Sequence, residues 1–448
     1  MNHDSRIRGE RALDHYLRKR LLRARAISAS PSPDLTRVVV IPCHDEPEIL
    51  PTLDALSECA SVAPGSTEVL VFINASEAAD DAKKRRNETT AATLIEAARS
   101  YPLPLHVVLD NTLAKDIAGV GLARKLIMDE ALQRLAQAGA PDGVIISLDA
   151  DCVVSRNYLS AIDGAFARKP GLGAVTVNFE HRMRPEPAGS ASADTGLDRS
   201  GLGRAATLYE LYLRYYRLGL AWAGSTHAFH TVGSCMAVRA RDYARVGGMN
   251  RRQAGEDFYF LQKFMDIGIL ETLNETTVYP GVRESTRVPF GTGAAIRDAL
   301  RAGNGPRFHP RSGFSDLRAL FQATDALYDE PERWLALPDD LARWLAGQHF
   351  GEALLEIRRN VRNGAAFDKR LRRWMNGFRC MKYLRFTGET LGFESPPEAA
   401  VSWLLTELGA VPPAVRDDDL RPLLRACRLL DQQQATAGLN NRARSGAG

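Results

Sequence analysis

The chemistry-bearing feature that stands out first is a pair of aspartates one residue apart, Asp149 and Asp151, closing the run Ile145-Ile146-Ser147-Leu148. A buried strand that ends in two carboxylates offers the hard oxygen donors that Mg²⁺ and Mn²⁺ prefer, and an ion held there can also hold substrate phosphates. Ligands of open α/β sheets gather outside the carboxyl ends of the strands. If the strand continued, alternation would turn both carboxylates to one side. The competing reading is a pair of aspartates that cap a turn or the next helix. A second acidic pair, Glu256-Asp257, opens the apolar run Phe258-Tyr259-Phe260-Leu261 and so belongs at a helix N-terminus. There a carboxylate either complements the helix dipole or, facing a cleft, acts as a general base. His227 and His230, three residues apart, suit a metal, an acceptor or an ordinary structural role. The segment from Arg283 to Gly293 is a basic, glycine-containing turn in which Arg283 and Arg287 suit phosphate.

These groups need a scaffold, and the hydrophobic pattern supplies one. Short apolar runs at 37–42, 68–74, 105–109, 143–149 and 174–179 read as strands. Between them, 46–59, 79–100, 121–138 and 156–168 read as helices. That alternation predicts an α/β fold built on a mixed, mostly parallel sheet flanked by helices. Residues 181–204 break the rhythm with a small, polar, turn-rich stretch, a lid or a surface insertion, before an aromatic helix over 205–222. From 295 onward the pattern is helical. The expected organisation is a basic N-terminal helix and linker (1–36), an α/β domain (37–295), a helical domain (296–435) and a flexible tail (436–448).

Composition narrows the class. Hydrophobic residues are 45% and charged residues 25% of the 448, as in a folded globular protein. The net charge of +4 is unevenly held: residues 1–30 carry eight Arg/Lys against three Asp/Glu, leaving about −1 for the rest. The body therefore gives no reason to expect nucleic acid as a partner. Leu13, Tyr16, Leu17, Leu21 and Leu22 recur at helical spacing in 5–28, either an apolar stripe packed on the domain or a peripheral arm on an anionic membrane. No apolar run reaches transmembrane length. The six cysteines include no C-x-x-C pair, and free thiols with no visible signal peptide lead us to expect a cytoplasmic location.

The blocks Val38-Val39-Val40-Ile41-Pro42-Cys43-His44-Asp45-Glu46, Gly121-Leu122-Ala123-Arg124-Lys125, Asp149-Ala150-Asp151 and Val232 to Arg239 through Gly247-Gly248 and Glu256-Asp257 resemble, in order and spacing, those of family 2 glycosyltransferases with the GT-A fold. The resemblance covers about 37–290. It implies a nucleotide-sugar donor, an acceptor hydroxyl and a divalent metal, Mn²⁺ or Mg²⁺. Pro42, His44, Glu46 and Asn74 would cradle the nucleoside, with Arg124, Asp149 and Ala150 against the donor. Asp149 and Asp151 would reach the metal, and His230 is the substitute for a third, histidine ligand that some members carry. Asp257, with Glu256 beside it, would be the base of an inverting transfer. His44 and Asp45 replace the usual tyrosine and asparagine of the first turn, and Asn74 replaces an aspartate, which leaves uracil recognition open. Two other readings compete: a sugar-phosphate nucleotidyltransferase, disfavoured because Pro42–Glu46 contains no glycine, and a non-catalytic binding or scaffold protein.

Overall fold

The structure, a computed structural model, describes residues 3–59, 63, 65–182, 200–253, 255–284, 291–302, 305–394 and 396–445, with side chains described from 11 to 301 and from 305 to 433 within those ranges. The chain divides into two units. The first comprises Met1–Ser190 and Thr231–Arg297, the second Ala191–His230 and Asp298–Gly448.

The first unit is organised by β1 (Arg37–Cys43), whose residues Val38 to Ile41 have no exposed surface. An unbroken apolar run of this kind is what a strand covered on both faces requires. After α2 (Leu50–Ser57) come β2 (Thr67–Ser76), α3 (Asp81–Ala97), β3 (Leu105–Leu113), α4 (Val120–Gln137) and β4 (Val144–Ser147). Strands β1, β2, β3 and β4 pair in parallel. The unit continues with β5 (Val153–Val154), α5 (Tyr158–Arg168) and β6 (Ala174–Phe179). Helix α6 (Gly201–Ala223) belongs to the second unit, and β7 (Met236–Arg239), α7 (Ala240–Arg245), α8 (Glu256–Ile267) and β8 (Leu270–Tyr279) return to the first. The sheet order is β3-β2-β1-β4-β7-β6-β8-β5. Strand β7 runs antiparallel to both β4 and β6, β6 and β8 are parallel, and β5 is antiparallel to β8. This is the mixed, mostly parallel sheet that the pattern predicts, with β5, β7 and β8 as additions.

Helix α4 is buried almost all round, yet it carries Arg124, Lys125, Asp129, Glu130 and Arg134. Buried charge is tolerated only when paired, and each of these side chains has a partner. Arg134 donates to Glu68 from Nη2 at 2.8 Å, and Glu130 accepts the backbone N–H of Ala26 at 2.8 Å. The Asp129 carboxylate accepts from Tyr16 at 2.9 Å, from Tyr243 at 2.8 Å and from Lys125.

These contacts correct the reading of 5–28 as one helix. Helix α1 spans His3–Lys19, and the chain beyond it is pinned by Arg23 on Asp110 (2.7 Å) and by the buried Ile27 and Leu35. Leu13 and Tyr16 face inward, whereas Leu22 is exposed. The apolar stripe therefore packs on the domain, and the N-terminal segment is part of the first unit.

The second unit is helical apart from one isolated bridge, Phe308 to Glu394, among the described residues. Its core gathers Tyr215, Phe308, Phe314 and Tyr383, with the Tyr215 and Phe314 rings edge to face at 5.3 Å. Helix α6, placed by the pattern within 37–295, packs here. The last helix, Arg421–Ser445, runs across the junction drawn at 435.

Candidate functional site

The site lies at the carboxyl ends of the central strands in the first unit. Strand β1 leads into a turn whose Asp45 has φ 51°, a left-handed conformation that aspartate adopts when local hydrogen bonds hold it. Asp45 N–H donates to Asn87 Oδ1 at 3.1 Å, and the Asp45 carboxylate takes Arg86 at 2.6 and 2.9 Å. His44 Nδ1 lies 2.8 Å from the Asn74 carbonyl oxygen. The Asn74 amide donates to the carbonyls of Cys43 at 3.0 Å and Phe72 at 3.3 Å. Asn74 thus ties the ends of β1 and β2 together, and both of its amide hydrogens are engaged by backbone. The Asn74 amide nitrogen thus has a structural role at the junction of the two strands. Pro42 occupies β1 opposite Phe72, and Ala150 is buried, its carbonyl accepting from Thr52 at 2.9 Å.

Strand β4 ends at Ser147, two residues short of the expected limit. Asp149 and Asp151 therefore stand in the following turn, closed by the Cys152 N–H to Asp149 carbonyl bond at 3.2 Å. Strand alternation does not aim them; arginines do. Arg124, almost wholly buried, donates through Nη1 and Nη2 to Asp149 Oδ1 (3.1 Å each), through Nε to Glu256 Oε1 (3.2 Å) and through Nη1 to Ser147 Oγ (2.8 Å) and the Gly233 carbonyl (3.2 Å). A Cβ at Gly233 would come within 2.6 Å of the guanidinium, so glycine leaves room for this fork. Arg283 bridges the second aspartate, donating to Asp151 Oδ2 at 2.9 Å and to Glu46 at 3.0 Å through its other nitrogen. Arg287 lies outside the described residues.

Glu256 and Asp257 occupy the first turn of α8, as the pattern predicts. Glu256 is buried against Arg124, and Asp257 is the more open of the two. Asp257 Oδ1 accepts its neighbour's Phe258 N–H at 2.7 Å. Burial, followed by the negative charge of Glu256, pushes the Asp257 carboxyl up to about 7, against the pull of Arg124. Burial and the neighbouring Asp149 likewise raise Asp151, despite Arg283. Among the described residues the cluster holds five carboxylates (Glu46, Asp149, Asp151, Glu256 and Asp257) and two guanidiniums, so its negative charge is undercompensated there.

His230 belongs to the second unit, where Nε2 lies 2.9 Å from Asp431 Oδ2. Among the described residues no group of three or more His, Cys, Asp or Glu side chains is arranged to hold a metal ion. Asp149 and Asp151 remain as a two-carboxylate set. Asp149 is 37% exposed and takes both of its arginine bonds on one oxygen. Sequence reasoning missed Ser147, Asn87 and Gly233, whose roles depend on neighbours distant in the chain. It also missed Asp129 and Lys125, which their i,i+4 spacing in an otherwise apolar helix could have flagged.

No protein-family model matches the chain, and comparison with curated proteins gives no match. Several solved structures are similar to it in fold. Residues 1–349 of S. aureus TarS in complex with UDP-GlcNAc are 14% identical over 76% of this chain and 90% of that chain, at a TM-score of 0.37. The mannosyltransferase PcManGT from Pyrobaculum calidifontis, in complex with GDP-Man and Mn²⁺, is 17% identical over 95% of both chains, at 0.36. Glucosyl-3-phosphoglycerate synthase from Mycobacterium tuberculosis, with Mn²⁺, UDP and glucosyl-3-phosphoglycerate, is 17% identical over 60% of this chain and 78% of that chain, at 0.33. No helix among the described residues is long and apolar enough to cross a membrane.

Proposed function

We infer that the protein is a glycosyltransferase that moves a sugar from a nucleotide-sugar donor to an acceptor hydroxyl, with inversion. The observation that carries this reading is Arg124, held between Asp149 in the turn after β4 and Glu256 at the start of α8, with Asp257 beside it. One buried cation thereby links the two acidic motifs that the sequence places more than a hundred residues apart. A strand-end carboxylate pair suits the donor's diphosphate, and an adjacent carboxyl poised near neutrality suits proton removal.

In this reading the ionised Asp257 takes the proton of the acceptor hydroxyl. The hydroxyl oxygen forms a bond to the anomeric carbon while the bond from that carbon to the diphosphate oxygen breaks, and the nucleoside diphosphate departs with the electron pair. Arg124 keeps Asp149 and Glu256 fixed and tempers the charge that raises Asp257. Asp149 and Asp151 provide the donor chemistry for Mg²⁺ or Mn²⁺, which commonly bind through one or two carboxylates together with substrate phosphates. Such an ion, when bound, supplies positive charge to the departing diphosphate. Glu46 and Arg283 border the same face, and His44 shapes the turn beneath the nucleoside.

The test is a thermal-shift panel of nucleotide-sugars and nucleoside diphosphates with and without Mn²⁺, since a ligand that binds the native state raises the melting temperature by mass action. A metal-dependent rise with one donor class, lost in Asp149→Asn, supports the reading. The absence of any shift across the panel overturns it.

A further inference from the structure

Beside this site the first unit leaves a group of cations without acidic partners. Some of the unit's long cationic side chains are matched: Arg23 to Asp110, Arg37 to Asp163, Arg86 to Asp45, Arg134 to Glu68 and Lys169 to Glu271. Arg20, Arg251, Arg252 and Lys263 form no salt bridge among the described residues. The three arginines are exposed and Lys263 is partly so.

Gly248 is the hub of their placement. Lys263 Nζ donates to its carbonyl at 2.8 Å, and the Tyr16 hydroxyl of α1 approaches so closely that a Cβ at Gly248 would come within 1.9 Å of it. Arg20 follows one helical turn after Tyr16, with its N–H on the Tyr16 carbonyl at 2.9 Å. Arg251 and Arg252 follow Gly248 in the loop that leads to α8. This loop is clamped at both ends. A Cβ at Gly121 would approach the Arg252 carbonyl oxygen to 2.0 Å, and Asn250 Nδ2 donates to the Glu256 carbonyl at 3.4 Å. The Arg252 guanidinium lies 3.8 Å over the Tyr259 ring, on the same helical turn as Asp257. Electrostatics agrees with this crowding: burial, then Lys125 and Arg20, push the Lys263 ammonium down to about 8. The Asp129 carboxylate is already engaged by Lys125, Tyr16 and Tyr243.

We propose that Arg251 and Arg252, backed by Lys263 and Arg20, receive a phosphate ester carried by the acceptor, so that the hydroxyl presented to Asp257 belongs to a phosphorylated polyol or sugar. The proposal rests on the glycosyltransferase reading for the word acceptor, and on the cation cluster alone for the phosphate. A phosphate monoester carries about −1.5 to −2 charges at neutral pH and three acceptor oxygens, which suits several guanidinium and ammonium donors around one anion.

The experiment titrates the full chain with glycerol 3-phosphate and with glycerol, followed by ligand-detected NMR. The expected result is saturable binding of the phosphate ester, none of glycerol, and at least a tenfold loss of affinity in Arg251→Glu/Arg252→Glu. Arg251→Lys/Arg252→Lys should retain most of it, and unchanged melting temperatures keep the comparison fair. UDP and GDP with Mn²⁺ probe the donor face in parallel. Phosphate-ester binding without nucleotide binding would sink the glycosyltransferase reading while leaving the anion site standing. Equal binding of glycerol and its phosphate, or affinity unaltered by the double charge reversal, overturns the proposal. So does sedimentation with phosphatidylglycerol vesicles but not phosphatidylcholine vesicles when glycerol 3-phosphate fails to bind, because the phosphate would then be a lipid headgroup's.

Discussion

Two buried clusters of charge, one in each unit, are built from the same side chains and arrive at opposite electrostatic states. In the helical unit, Glu210 takes Arg214 and Arg428 at 2.8 Å each, and Asp431 takes Arg214 at 2.5 Å, Arg217 at 2.8 Å and His230 at 2.9 Å. Among the described residues three guanidiniums answer two carboxylates. Burial alone would raise Asp431, but His230, Arg217 and Arg214 hold it well below the usual carboxylate range. At the strand ends of the first unit, two guanidiniums answer five carboxylates among the described residues, and Asp151 and Asp257 are raised. A compensated cluster fastens helices, in this case α6 to the last helix. An undercompensated one stores an attraction for protons and cations, which is what a reaction centre needs.

Replacing one acidic group in each cluster should separate these roles. Asp257→Asn keeps the shape of the side chain and removes the base. The expected loss in kcat is about 10²–10⁴-fold, with donor affinity and melting temperature retained. Steady-state kinetics beside calorimetry with the nucleoside diphosphate measures the split. A lowered melting temperature with the rate kept would instead make Asp257 a helix-capping carboxylate.

The same residue gives a pH signature. Its folded-state pKa of about 7 lies above the unfolded value near 3.8, so between these limits the native state holds a proton that the unfolded state has released. The contribution of this group to stability is therefore present at low pH, declines as pH rises from about 4 to about 7, and levels off above. The rate should move the other way, rising through about pH 7 as the base ionises. The share of both slopes that Asp257 contributes should vanish in Asp257→Asn, as urea unfolding and rate profiles across this range would register.

Asp431→Asn should cost stability rather than rate, because Arg214 and Arg217 are left buried with too little negative charge. Breaking such a pair typically costs about 3–5 kcal/mol, to be read by urea unfolding. Asp151→Asn should do the reverse. Without metal it relieves repulsion from Asp149 and Glu46 and leaves the melting temperature unchanged or higher, while the Mn²⁺-dependent shift with a nucleoside diphosphate disappears. If both variants destabilise equally, the contrast between the clusters fails. The smallest effect is expected from Tyr16→Phe. It removes one of three donors to Asp129 and should lower stability by about 1–3 kcal/mol, which thermal or urea unfolding would report. A chain beginning at Arg37 should lose more, since Tyr16, Ile27 and the bonds to Glu130 all leave together.

Much of the scaffold was legible in the sequence because doubly covered strands must be apolar along their whole length, as 38–41 and 69–73 are, and because helices of ten or more residues between them force parallel neighbours. Strand β7, four residues long, and β5, two residues long, carry too little pattern to be read, and β8 mixes buried with half-exposed positions. Among candidate site residues, Asp149, Asp151, Glu256 and Asp257 were singled out because paired carboxylates beside apolar runs are unusual. Asn74 was placed correctly at the end of β2, but its bonds to the carbonyls of Cys43 and Phe72 were not foreseen. Nothing local distinguishes an amide that reads a ligand from one that ties two strands.

By itself the sequence determined the alternation of strand and helix, the position of both acidic pairs at element ends and the basic charge of the first thirty residues, since each depends only on local composition and period. Tertiary structure alone decided which cations meet which carboxylates. Arg124 reaches Asp149 and Glu256, Arg283 reaches Glu46 and Asp151, and His230 turns to Asp431. Those pairings set the charge balance of each cluster. Coulomb energy depends on separation in space and on burial, neither of which is written in the order of residues along the chain.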